Sequence, residues 1–359
     1  MKPQRKILIL LPSLEQVGGV MVVAPLLSIL LDNHYKVDII SKVSGLLGYG
    51  FEKMGCTVGI YEDMHTQPFR DYILYHYDEV LVNTLQLVSV IHQLNGVNIK
   101  VHWWIHEGPH FFERFKEQIP DGFWDMLKDN IRVYVAGAYV NRFLLTKYNY
   151  TSEILNFGSP DYGKEKFEKP NYNVNAEKIS FLIPSTLYQY TKGQDITAVA
   201  IASLPLEYLQ KTEFIFVGCE CQGETIFLEL LDALEEKCAN VHHLPTMLHK
   251  ELLALMNSVD CILAPSREDP TNTCIVEGLS LSKICICSNR VGASYYLKHN
   301  VNAFIFTNEN ADELKAIMMD IIDDMDTLED MKVNGHKVYE EVFSLNKFED
   351  NVKKWLINN

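Results

Sequence analysis

The chain has 359 residues, of which 47% are hydrophobic and 22% charged, and its formal net charge at pH 7 is -15. This length is about twice that of a usual single domain, so we expect two domains, and the composition excludes a mainly disordered chain. The negative charge argues against nucleic acid as the main partner, because phosphate backbones require clustered lysine and arginine.

The N-terminal residues predict no secretory signal, and the longest apolar run, 20–31, contains Pro25 and is too short to span a bilayer. We therefore expect a cytoplasmic protein, either free or in peripheral contact with the inner face of a membrane. The eight cysteines include the C-x-C pairs Cys219/Cys221 and Cys285/Cys287, which lack the usual spacing of zinc ligands. They are predicted to be reduced, and no metal site is expected.

The first half of the chain predicts alternating strands and helices. A buried strand at Lys6–Leu11 is followed by a turn, an apolar helical pattern over 20–31 and a second strand at Val37–Ser41. Further strand-like runs follow at 79–83, 100–105, 132–136 and 153–157. This order is typical of a doubly wound parallel sheet.

A polar, aperiodic stretch at 163–175 then predicts a linker between domains. After it, a second series has predicted strands at 178–183, 213–217, 240–243, 261–264 and 284–287 and predicted helices at 195–203, 225–238 and 250–257. The tail 311–359 predicts acidic amphipathic helices. We therefore expect an α/β protein with two Rossmann-like doubly wound domains facing a central cleft, a favoured place for a ligand.

An aromatic-rich segment, Trp103–Trp124, lies in the first half. Core packing is the expected role of these rings, because large aromatic side chains dominate protein interiors. An acceptor platform and a membrane-facing patch are the alternatives.

Two glycine turns precede predicted helices. Gly18 and Gly19 lack the three spaced glycines of the dinucleotide-binding fingerprint, which argues against a nicotinamide dehydrogenase. Their amides could bind a phosphate or a sugar hydroxyl, and a tight strand-to-helix turn is the alternative. Lys192 and Gly193 follow the strand at 178–183, where a lysine could neutralise a diphosphate or simply form a surface turn.

The most informative stretch, 265–278, carries carboxylates between two predicted strands. Parallel strands point their carboxyl ends at the ligand crevice, so Asp269 should lie on that rim, with Glu277 in the helix that follows. A carboxylate there can accept two hydrogen bonds from a cis-diol such as ribose. Asp269 could instead cap the helix, whereas Glu277 has apolar sequence neighbours and would need a partner if buried.

These motifs resemble the retaining GT-B glycosyltransferases of the group 1 family. That family's pattern, P-S-x-x-E-x-x-G and, after four residues, E-A, corresponds here to Pro265–Asn272 followed by Glu277. Its spacing places Asp269 at the first acid, with Glu268 as a rival, and puts Asn272 at the family's glycine. The stretches "TKGQD", "WWIHEGP" and "LPSLEQVGGV" resemble the family's diphosphate turn, histidine loop and N-terminal glycine loop.

The resemblance implies a role for each of these residues. The catalytic residues would be His106, near the transferred sugar, Lys192, on the diphosphate, and Asp269, on the donor sugar. The residues that bind the donor would be Gly18, Gly19, Thr186, Arg267, Glu268, Asn272, Thr273 and Glu277. Thr186 stands where the family has an arginine, and Arg267 is a candidate substitute. A satisfied structural histidine is the alternative for His106.

The implied reaction transfers a hexose or deoxyhexose from a nucleoside diphosphate, with a UDP-sugar as first choice, to a saccharide or lipid-linked saccharide in polysaccharide biosynthesis. Configuration would be retained by a front-face route, without a metal or other cofactor, since no far-face carboxylate stands out. The implied domains are 1–165 for the acceptor and 166–342 for the donor, with the helix 343–359 packing back on the first.

Two rival functions remain open at this stage. An epimerase acting on nucleotide sugars would require additional acids and histidines, and no cluster of them is visible in the sequence. A catalytically degenerate GT-B partner that binds or stabilises an active glycosyltransferase is suggested by two departures from the family pattern. These are Thr186 in place of an arginine and Asn272 in place of a glycine.

Overall fold

The computed structural model describes residues 4–15, 18–188, 190–220 and 226–358, without the side chains of 186–188, 220 and 226. The chain divides into two compact units, the first formed by 1–158 with 345–359 and the second by 159–344. The boundaries between the units, at 158/159 and 344/345, lie a few residues from the predicted boundaries at 165/166 and 342/343. The acceptor and donor roles of the two domains stay a prediction.

The first unit contains a parallel sheet in which the strands lie in the order β3-β2-β1-β4-β5-β6-β7. The strands are β1 Lys6–Leu11, β2 Lys36–Ser41, β3 Thr57–Ile60, β4 Glu79–Asn83, β5 Lys100–Ile105, β6 Ile131–Val135 and β7 Glu153–Ile154. The order reverses between β1 and β4, so the carboxyl ends of these two strands mark the switch point where doubly wound folds bind ligands.

The helices of the first half are α1 Gly18–Met21, α2 Val23–Asp32, α3 Leu47–Lys53, α4 Gln67–His76, α5 Val88–Leu94, α6 Pro109–Arg114, α7 Phe123–Met126 and α8 Ala138–Tyr148. The helical pattern predicted over 20–31 is confirmed except for a break at Val22, because the structure ends α1 at Met21 and begins α2 at Val23. Pro25 explains the break, since its ring would clash with the carbonyl four residues earlier.

The aromatic segment 103–124 packs into the core of the first unit. Trp103, Trp104, Phe112 and Phe123 are at most 2% exposed, and Trp124 stacks on Trp103 with ring centroids 5.7 Å apart. Core packing is thereby confirmed over the two surface alternatives for these rings.

The second unit contains a parallel sheet in the order β10-β9-β8-β11-β12-β13. Its strands are β8 Ile179–Tyr188, β9 Thr212–Glu220, β10 Val241–Leu244, β11 Cys261–Ala264, β12 Ile284–Ser288 and β13 Phe304–Phe306. Its helices are α9 Gln194–Ala202, α10 Leu206–Leu209, α11 Ile226–Lys237, α12 His249–Ser258, α13 Thr273–Ser280, α14 Ala311–Asp324 and α15 Glu329–Val338. This order reverses between β8 and β11.

The final helix, α16 Leu345–Val352, belongs to the first unit. It is amphipathic, as the tail pattern predicts, and it packs its apolar side inward. Phe348 on this helix is 1% exposed and stacks with Trp104, with ring centroids 5.9 Å apart. The apolar face of the last helix is therefore buried against the sheet of the first unit.

Two strands, β3 and β13, were not predicted, because each is short and lies at the edge of its sheet. Strand β8 runs beyond the predicted end at 183 through a register shift between Pro184 and Leu187. In the described part of the chain, no helix is long and apolar enough to cross a bilayer. Within the same residues, no group of three or more His, Cys, Asp or Glu side chains is placed to hold a metal.

Candidate active site

The loops that follow β8 and β11 lie side by side in the second unit. The backbone N–H groups of Arg267 and Glu268 donate hydrogen bonds to the carbonyl of Thr191 at 2.8 and 3.2 Å. Because β8 and β11 are neighbours at the switch point, both loops leave the same edge of the sheet. The predicted diphosphate turn and the predicted acid loop are therefore parts of one site.

Gly193 makes this close approach of the two loops possible. It has φ of 68°, and a Cβ at this position would lie 2.3 Å from the carbonyl oxygen of Pro265. Only glycine accommodates both the left-handed backbone and the neighbouring carbonyl. The turn thus brings the preceding residue, Lys192, to the acid loop.

Lys192 and Asp269 form an ion pair, with Nζ 2.7 Å from Oδ2. Asp269 is buried, and it also accepts hydrogen bonds from the backbone N–H of Asn272 at 2.8 Å and of Thr271 at 3.3 Å. Burial opposes ionisation, but Lys192 and these hydrogen bonds outweigh it and lower the pKa of Asp269. The carboxylate therefore holds the lysine and shapes its own loop.

Asn272 begins the helix that carries the second acid. Its φ is 66°, and its side-chain oxygen caps the N–H of Ile275 at 3.0 Å. Asparagine is one of the few residues that tolerate a left-handed backbone, so it can adopt this conformation in place of the family's glycine. Thr273 is the exposed first residue of α13, at the positive end of the helix dipole.

Glu277 lies in α13, where it is 7% exposed. Its Oε1 is 2.7 Å from Nε2 of His249, the first residue of α12. The hydrogen bond that the imidazole donates to this carboxylate raises the pKa of His249. The sequence indicated that a buried Glu277 requires a partner but did not identify His249, because the pairing depends on how α12 and α13 pack.

Arg267 is engaged with two other carboxylates. Its guanidinium forms a two-point pair with Asp195 at 2.7 and 2.8 Å and a further pair with Glu309 at 2.8 Å. It also lies 4.2 Å from the ring centroid of Tyr190. These contacts neutralise its charge, which argues against Arg267 as a free substitute for the arginine that Thr186 replaces.

Two remaining predicted residues of this unit add less to the geometry. Glu268 is half-buried beside Asp269, and its backbone N–H is held by Thr191. Thr186 lies in β8, and its side chain is outside the described part of the chain. The choice between Glu268 and Asp269 as the sugar-facing acid stays a prediction, although the described contacts of Lys192 are with Asp269.

His106 and Gly19 lie together at the carboxyl edge of the first sheet. Asn83, the last residue of β4, joins them, since its Nδ2 donates to the carbonyl of Gly19 at 2.7 Å and its Oδ1 is 2.8 Å from His106 Nε2. Burial lowers the pKa of His106 to about 3, so the imidazole is neutral and donates from Nε2. Gly18 and Gly19 form the first turn of α1.

Glu107 holds the backbone at His106. It was not identified from the sequence as a residue of the site. This buried carboxylate accepts from the N–H groups of His106 and Leu85 at 3.1 and 2.8 Å. It thereby ties the end of β5 to the loop after β4, where Thr84 has φ of 80°, which is rare for a β-branched residue. Asn83 and Glu107 could have been found as polar residues at the ends of adjacent strands.

Comparison with known proteins identifies the class to which the second unit belongs. Residues 164–338, a little under half of the chain, match the family described as glycosyl transferases group 1. The second unit is therefore a group 1 glycosyl transferase domain, and the prediction of a glycosyltransferase is confirmed by this match. A comparison with curated proteins finds no significant match.

Solved structures resemble the chain over almost its whole length. HepE of Anabaena in complex with UDP has a TM-score of 0.81 at 17% identity, covering 99% of this chain and 100% of that one. A glycosyltransferase from Rickettsia africae has a TM-score of 0.76 at 18% identity, with 99% and 100% coverage. WaaG, a glycosyltransferase involved in lipopolysaccharide biosynthesis, has a TM-score of 0.70 at 12% identity, with 98% and 99% coverage. The predicted GT-B fold is confirmed.

Proposed function

We propose that the chain transfers a sugar from a nucleoside diphosphate to a hydroxyl of a saccharide or glycolipid acceptor, with retention of configuration. The arrangement around Lys192 supports this reaction most directly. Lys192, the Asp269 loop and the beginning of α13 meet at the carboxyl edge of β8 and β11, inside a group 1 glycosyl transferase domain. This edge offers a lysine for the diphosphate and, in Glu277, a carboxylate for the ribose.

Lys192 is suited to stabilise the departing diphosphate. An ammonium group has three N–H donors, and Asp269 occupies one of them. Its side chain is 36% exposed, so the remaining donors are accessible to a ligand. Burial opposes the charged form, but Asp269 outweighs it and raises the pKa of Lys192, which keeps the ammonium charged. Preorganised electrostatic stabilisation of the charge that develops on a leaving group is usually the largest single contribution to catalysis.

The donor and acceptor follow from chemistry and from the relatives. A complex of HepE with UDP-glucose supports a UDP-sugar as the first donor to test, and the role of WaaG in lipopolysaccharide biosynthesis supports a saccharide or glycolipid acceptor. We assign His106 to the transfer region as a neutral hydrogen-bonding group. Front-face transfer, in which the leaving phosphate assists deprotonation of the acceptor, requires neither a second carboxylate nor a metal.

A panel of UDP-, GDP- and dTDP-sugars, each supplied with and without EDTA, tests this proposal. The expected result is release of one nucleoside diphosphate at a rate that chelation leaves unchanged. NMR of the product should show the anomeric configuration of the donor. Absence of release together with absence of a thermal shift by any nucleotide would instead favour the catalytically degenerate partner protein.

A further inference from the structure

We propose that His249 is a positioning residue for Glu277, and that this pair makes the site select ribose over 2′-deoxyribose in the nucleotide of the donor. The inference rests on the proposed function, because it concerns the recognition of the same donor. It goes beyond that function by naming a residue outside the glycine turns and the acid loop, and by predicting a specificity.

The geometry shows how His249 controls one oxygen of Glu277. The Glu277 side chain is 10% exposed, and its Oε1 receives the hydrogen bond from Nε2 of His249 at 2.7 Å. In the described part of the chain, Oε2 has no hydrogen-bond partner. The imidazole lies edge-on to the ring of Tyr162, with centroids 6.1 Å apart. Because Glu277 and Tyr162 both contact the imidazole, His249 holds the carboxylate of Glu277 in one orientation and leaves Oε2 to accept from a ligand.

The chemistry of the two sugars converts this geometry into selectivity. Ribose presents two neighbouring hydroxyl donors, at C2′ and C3′, and a fixed carboxylate can accept from both. With 2′-deoxyribose, one acceptor position of a nearly buried carboxylate is left unpaired. Sites built to bind a hydroxyl reject analogues that lack it by large factors for this reason. A carboxylate free to rotate would lose much of this discrimination.

The charge on His249 also matters for an anionic ligand. Among the described residues, three groups face its imidazole: Glu277 on α13, and Tyr162 and Glu165 at the start of the second unit. Lys250 and Glu251 are its neighbours on α12. Burial raises the pKa of the Tyr162 phenol, which therefore stays neutral. When His249 loses its proton, the charge of Glu277 is no longer balanced. Affinity for a nucleoside diphosphate should then fall as pH rises through the raised pKa of His249.

Calorimetric titration of UDP and 2′-deoxy-UDP into the full chain tests both parts of the inference. Wild type, His249→Gln and His249→Ala are compared at about pH 6 and about pH 8.5. Gln carries an N–H donor close to the position of Nε2 but cannot be protonated. His242→Ala is the matched control, because His242 is another histidine of the second unit that lies beside a carboxylate, Glu213, at 3.5 Å. A thermal unfolding curve for each variant confirms that it folds.

We expect wild type to bind UDP at least about tenfold more tightly than 2′-deoxy-UDP. His249→Gln should keep this ratio and lose the pH step, His249→Ala should lose both, and the control should lose neither. Unchanged discrimination in a folded His249→Ala would overturn the inference while leaving the proposed function intact. If wild type binds none of UDP, GDP and dTDP, the proposed function fails, and the inference fails with it. Binding of dTDP alone would overturn the inference and leave the proposed function intact.

Discussion

The two units share a doubly wound parallel sheet but equip its carboxyl edge in opposite ways. In the second unit the polar residues are charged and paired, as in Lys192 with Asp269 and Glu277 with His249. In the first unit, Asn83 bridges a neutral His106 and the carbonyl of Gly19. The same edge of the same fold therefore presents paired charges in the second unit and, around His106, neutral hydrogen bonds in the first.

This difference corresponds to the two tasks of the proposed reaction. A diphosphate carries negative charge, so its site requires positive charge, and the carboxylates nearby hold those cations and bind hydroxyl groups. An uncharged sugar hydroxyl is bound by neutral donors and acceptors, and the half-buried neutral imidazole of His106 is suitable for that. The comparison predicts that substitutions in the second unit act on the donor, whereas substitutions around His106 act on transfer and leave donor affinity intact.

The largest effect is expected for Lys192→Ala. Loss of one preorganised donor at a developing negative charge typically costs roughly 10²–10³ in kcat. Initial rates of nucleotide release under saturating donor measure this change. Lys250→Ala is the control, because that lysine is exposed and makes a long contact with Glu168 at 3.5 Å. If Lys192→Ala retains more than about a third of wild-type kcat, the diphosphate is stabilised elsewhere.

Gly193→Ala should affect stability and activity together. The new Cβ would be strained by φ of 68° and by the Pro265 carbonyl oxygen at 2.3 Å, and we expect a loss of about 1–3 kcal/mol in the free energy of unfolding. Chemical denaturation measures this loss. Gly50→Ala is the matched control, because a Cβ added to this residue of α3 would have no described atom within 4 Å, and it should be neutral or stabilising. Equal stabilities would mean that the two loops separate readily.

A comparison of Asp269→Asn with Glu268→Gln decides which acid serves the site. Asp269→Asn should lower activity about tenfold, because Lys192 loses its partner, while Glu268→Gln should change it about twofold or less. Because folding lowers the pKa of Asp269, its stabilising effect is present above the usual carboxyl pKa of about 4 and is lost as pH falls through the folded value. The difference in stability between wild type and Asp269→Asn should therefore disappear in acid, and acid denaturation curves measure it.

If Glu268→Gln lowers activity more than Asp269→Asn does, Glu268 and not Asp269 is the acid that serves the site.

The last of these predictions concerns the pH dependence of stability around His106. Its folded pKa is about 3, below the usual value of about 6.5, so the unfolded chain binds a proton that the folded chain does not bind. Stability should fall as pH decreases from about 6.5, and His106→Gln should reduce that loss. Thermal unfolding at several pH values measures it, with the exposed His110→Gln as control. The account of a half-buried, neutral imidazole at His106 fails if both variants match wild type.

The sequence predicted most strands and the order of the site motifs, because buried parallel strands are continuous apolar runs and glycine turns have few alternatives. It could not predict pairings that depend on packing. Arg267 was predicted to bind the donor, and its ion pairs with Asp195 and Glu309 carried no signal in the sequence. Glu277 was recognised by its apolar sequence neighbours, whereas its partner His249 carries no local signal. The short edge strands β3 and β13 were missed because only pairing within the sheet distinguishes them from loops.

The central claim is that the second unit binds the donor through Glu277, and titration of UDP into wild type and Glu277→Ala tests it most directly. Loss of the ribose contact should weaken UDP binding at least about tenfold, while circular dichroism shows an unchanged fold. His106→Gln, which alters the first unit, should bind UDP as wild type does. Equal UDP affinity in wild type and Glu277→Ala would contradict the account.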